Sequence, residues 1–143
     1  MQHLTLLEIP SLNKNRKLAL LFRDRHNDLL FVCKIRRAIR NAMAHHKIIR
    51  FIQDEFFNEF QPNFIEEEQW LFSKIPSSHP LRIKAEEQHT ELINLIMTTS
   101  PESKLYDSLP ETFANLLEEH IRFEVRTLFP YIEQSICYKT SVA

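Results

Sequence analysis

His120-Ile121-Arg122-Phe123-Glu124 sets an imidazole and a carboxylate four residues apart, on one helix face and one turn from each other. That face is otherwise apolar. Phe113 and Leu117 precede the pair in phase, Leu128 and Tyr131 follow it, and Leu109 lies at the margin. An unpaired charge inside an apolar stripe costs several kcal/mol. A pair placed there therefore calls for a partner.

The same interruption recurs in three other segments. A helix expected from about Asn13 to Asn41 carries Leu18, Phe22, His26, Leu29, Leu30 and Cys33 at three- and four-residue spacing. A second, from about His46 to Lys74, reads Ile49, Ile52, Phe56, Phe60, Asn63, Glu67 and Leu71. A third, from about Pro80 to Thr98, places Leu81, Ala85, His89, Leu92 and Ile96 inside. The fourth is opened by Pro110 and contains the His120–Glu124 pair. Pro62 predicts a kink just before Asn63, and Pro130 predicts a kink or a break. Pro76 and the serines after it stop the second helix, and Pro80 suits a first helical turn. No Pro or Gly marks the first turn, so its place near Asn41 to Ala44 follows from length alone. The tail from Ser135 to Ala143 is expected to be loose.

Composition agrees with helices. The 143 residues contain no glycine, which argues against β-hairpins, phosphate-cradling loops and dinucleotide-binding turns. The length suits one domain over 1–143 with a single good core. Short links between four helices imply an all-α, up-down-up-down antiparallel four-helix bundle. A net charge of −1 gives no electrostatic case for nucleic acid or a membrane surface. No apolar run reaches the roughly 18 residues of a membrane span. Met1 to Lys14 lacks the features of a signal peptide. Cys33 and Cys137 have no motif spacing, read as small buried hydrophobes, and suit a reducing cytoplasm.

An isolated inward histidine is commonly a hydrogen-bonded core residue, and Glu66-Glu67-Glu68 could be a solvated face. The joint occurrence on four helices is what argues for a metal ion in the bundle. The inward set is His26, Glu67, His89, His120 and Glu124. Carboxylates with imidazoles suit iron or manganese, with zinc a lesser option. No cysteine joins the set, which removes thiolate zinc sites and iron–sulfur clusters. His3, His45, His46 and His79 fall outside it.

These segments resemble the hemerythrin-like family, also called the HHE cation-binding domain, from about Leu21 to Gln134. The resemblance is carried by Arg23-Asp24-Arg25-His26-Asn27-Asp28-Leu29-Leu30, Phe64-Ile65-Glu66-Glu67-Glu68-Gln69-Trp70-Leu71-Phe72, Glu86-Glu87-Gln88-His89 and His120-Ile121-Arg122-Phe123-Glu124. It implies non-haem iron, in one or two ions. The implied ligands are His26, Glu67, His89, His120 and Glu124, with Asn63 where the family has a histidine. Val125 and Ala85 depart from the oxygen-carrying members. The resemblance points to a non-catalytic module that senses, stores or carries dioxygen, nitric oxide or iron. The rival readings are a degenerate, metal-free bundle serving as an interaction scaffold, and a di-iron oxidase or peroxidase.

Overall fold

A computed structural model describes residues 14–142, with side chains from 18 to 135. Helix α1 is Lys14–Arg40. Helix α2 is one helical run over residues 45–74, in which π-helical turns at Phe56–Phe60 and Glu67–Leu71 interrupt α-helical geometry and Phe72–Lys74 ends it as a 3-10 turn. Helix α3 is Pro80–Thr98. Helix α4 runs over residues 109–142, with a π turn at Glu124–Leu128. The described residues contain no strand. The fold is an all-helical bundle in which α4 packs on both α1 and α3.

The two internal prolines neither break nor end their helices. A proline lacks the N–H that bonds four residues back, and its ring crowds that carbonyl. The carbonyls concerned belong to Asn58 and Arg126, which lie inside the π turns Phe56–Phe60 and Glu124–Leu128. Widening the turn moves each carbonyl away and lets the helix continue. The chain beyond Ser135 is helical through Val142, where a loose tail was expected.

The α1–α2 turn closes without glycine. Ala42 takes the left-handed conformation, φ 55°, as Met43 N–H donates to Ala38 and Ala42 N–H to Ile39. This is the bond pattern that glycine normally serves at a helix C-terminus. At the start of α3, His79 Nδ1 accepts from Leu81 N–H at 3.1 Å, and Pro80 occupies the first turn.

The apolar core has two parts. One gathers Val32, Ile35, Ile52, Phe56, Phe60, Leu92, Phe113 and Leu117. The other gathers Leu18, Leu21, Leu71, Phe72, Ala85, Leu128 and Phe129. Between them, every helix contributes polar residues at one level.

The phase of α1 differs from the expected stripe by one residue. Leu18, Leu21, Val32 and Ile35 are buried, whereas Leu30 and Cys33 are exposed. His26 is turned outward with them, and Arg25 is inside. Likewise Ile132, not Tyr131, continues the stripe of α4, because the extra residue of the π turn advances the phase. Cys137 and His3 lie outside the described side chains. Among the described residues, no helix is long and apolar enough to cross a membrane.

Candidate metal centre

Three helices supply the cluster between the two cores. Glu67 comes from α2, His89 from α3, and His120 and Glu124 from α4. All four are almost fully buried. Each offers one ligand atom, and these atoms lie within 4.8 Å of one another. Both carboxylates are the first residue of a π turn, closed by Phe72 N–H onto the Glu67 carbonyl and by Phe129 N–H onto the Glu124 carbonyl. Such turns concentrate at functional sites, where an added residue re-aims a side chain.

Hydrogen bonds fix both imidazoles. His89 donates its Nδ1–H to Glu68 Oε2 at 2.7 Å, and His120 donates its Nδ1–H to Gln88 Oε1 at 2.6 Å. Each ring therefore turns Nε2 toward the cluster, as metal-bound histidines do. His89 Nε2 stands 3.1 Å from Glu67 Oε1 and 3.1 Å from His120 Nε2. Phe64 stacks on His89, ring centroids 3.9 Å apart, and meets His120 edge-on at 5.7 Å. Rotation of either ring would break a hydrogen bond and a ring contact together.

The pole so formed is rich in acceptors. Glu124 Oε2 lies 3.2 Å from His120 Nε2, yet it is buried without a hydrogen-bond partner. Two carboxylate oxygens and two imidazole nitrogens facing one another repel unless a proton or a cation sits among them. Without a cation, that proton falls to His89. Burial opposes its charge, but hydrogen bonds to Glu67 and Glu68 outweigh burial and raise it to about 9. Burial pushes His120 down to about 3, and the neighbouring His89 acts in the same direction. Two nitrogens and two oxygens, one of the oxygens orphaned and buried, fit a transition-metal cation.

Arg25 closes the other side. Its guanidinium is 4% exposed and bonds Glu67 Oε2, with Glu124 Oε1 at 3.3 Å. Nε donates to Asp28 at 2.8 Å. Burial works against the charge, and Glu67, Asp28 and Glu124 outweigh it, so the pKa of Arg25 rises above its usual value. Burial lifts the Asp28 carboxyl to about 7 in spite of that neighbour.

The structure brings together Glu67, His89, His120 and Glu124, but not His26 or Asn63. His26 is exposed. Asn63 is half-buried and lines a cleft of about 320 Å³ with Asp24, Asp28 and Glu59. The π turn before it hands the inward position to Phe64. Sequence reading missed Arg25, Glu68 and Gln88. Gln88 and Glu68 could have been found, because each adjoins an inward ligand type. Arg25 gave no such signal, since the expected stripe of α1 ran through His26 and put Arg25 outside it.

The family model of the hemerythrin HHE cation binding domain matches residues 19–132. Comparison with curated proteins and with solved structures gave no match.

Proposed function

Because the chain belongs to the hemerythrin HHE cation-binding domain family, we propose that it is a non-haem iron protein whose cation is held by Glu67, His89, His120 and Glu124. The orphaned Glu124 Oε2, facing Glu67 Oε1 and two imidazole nitrogens, carries this reading. Glu68 and Gln88 hold the rings with Nε2 inward. A bound iron would supply a redox-active cation able to take a diatomic ligand. Burial among Phe64, Phe72 and the two apolar cores suits a ligand as small as dioxygen or nitric oxide. We assign the protein a sensing, storage or carrier role in place of catalysis. Manganese or zinc could bind the same donors. The short turns at 41–44 and 75–79 support an up-down-up-down antiparallel order for the bundle.

One observation favours a second reading, a metal-free bundle. Arg25 together with a protonated His89 already balances Glu67 and Glu124. That arrangement still leaves Glu124 Oε2 without a partner. Iron analysis decides between the two. Protein produced in iron-supplemented medium should retain iron through gel filtration, and Glu124→Gln and His120→Ala should each lose most of it. Wild-type protein that binds no iron, manganese or zinc would establish the metal-free bundle.

A further inference from the structure

We propose that the site holds a single metal ion, because the Arg25 guanidinium occupies the place where a second would bind. This rests on the metal-binding reading above. Each carboxylate is divided between two poles. Glu67 turns Oε1 to His89 and Oε2 to Arg25. Glu124 keeps Oε2 beside His120 and turns Oε1 to Arg25. Two carboxylates shared in this way are what would bridge two cations. Here one pole carries two imidazole nitrogens and the orphaned oxygen. The other carries a guanidinium and no imidazole, since His26 is exposed and Asn63 faces the cleft. A second ion bridging the same carboxylates would need Glu67 Oε2 and Glu124 Oε1, the atoms that Arg25 Nη1 contacts.

Arg25 is built to stay. Nε is tied to Asp28 one turn along α1, and the side chain is almost wholly buried. A guanidinium does not lose its proton in proteins, so it cannot be neutralised to admit another cation.

Manganese(II) serves as the probe, because its paramagnetic resonance separates an isolated ion from an exchange-coupled pair. Metal-stripped wild-type protein is titrated with manganese(II), and bound metal per chain is measured after gel filtration. The expected result is one ion per chain with the hyperfine pattern of an isolated ion. Arg25→His exchanges the resident cation for an imidazole, and the expected result is two ions with a coupled spectrum. Two ions in the wild type, or a folded Arg25→His variant that stays at one, would overturn the inference while leaving the metal reading intact. A wild type that binds none overturns both. Should Arg25→His fail to fold, the wild-type count and spectrum decide alone.

Discussion

Gln88 Oε1 accepts the Nδ1–H of His120 at 2.6 Å, and that bond decides which ring nitrogen faces the cluster. Such supporting partners commonly change metal affinity 10–100-fold. Gln88→Leu keeps most of the volume and removes the acceptor. It should weaken iron(II) binding about 10–100-fold in competition with a chromophoric chelator. Unchanged affinity would mean that contact with Phe64 orients the ring by itself. Arg25 calls for a further measurement on the metal-free chain, where it is a counter-charge of both carboxylates. Arg25→Leu strands Glu67 and Glu124 in the interior without their counter-charge. Urea unfolding of the metal-free variant should show a loss of about 3–5 kcal/mol, the usual result of removing one partner from a buried ion pair. A loss below about 1 kcal/mol would mean that this ion pair does not sustain the fold.

At the scale of elements, the helix ends were legible except that of α4, and the internal phase was lost in α1 and just after the π turns. Prolines and polar loops marked Pro80 and the stop at Pro76 because local chemistry sets those boundaries. The phase of α1 needed packing partners. Both registers contain apolar residues, and only the burial of Val32 and Ile35 shows which one faces α4. His26 was favoured because imidazole is a ligand type, yet the turn of α1 puts Arg25 in its place. The π turns were hidden for a related reason. Each adds a residue that strict three- and four-residue counting cannot register, and so Phe64 and Ile132 displace Asn63 and Tyr131. Glu67, His89, His120 and Glu124 were legible because strong apolar neighbours hold their phase on both sides. The glycine-free turn at Ala42 offers an independent check. A left-handed alanine costs about 1–2 kcal/mol relative to glycine, part of which glycine returns as unfolded-chain entropy. Ala42→Gly should therefore raise stability by roughly 0.5–1 kcal/mol and Tm by about 2–3 °C. A lower Tm would refute the left-handed turn.

At the scale of the whole molecule, one charged layer separates two apolar cores, and its protonation couples the bundle to pH. Three groups set the sign for the metal-free chain. His89 is raised from 6.5 to about 9, so its stabilising proton is fully present below pH 6.5 and is lost as pH rises through about 9. Asp28, raised from 3.8 to about 7, acts in the same direction, losing its contribution as pH rises through about 7. His120, lowered from 6.5 to about 3, acts oppositely and gives up stability as pH falls from 6.5 toward 3. Between pH 3.8 and 6.5 the Asp28 and His120 slopes oppose each other, and above that window only the alkaline loss remains. The metal-free chain should thus be less stable at pH 9 than at pH 6, by on the order of 3 kcal/mol. A cation on His89 Nε2 would replace the proton that His89 loses, so the loaded chain should escape the His89 share of that decline. Metal removal should then lower Tm at every pH, and by more at pH 8.5 than at pH 6, because protons compete with the ion at low pH. Calorimetry of iron-loaded and chelator-treated protein across this range tests the coupling. A Tm difference that narrows with rising pH would separate the charged layer from metal binding.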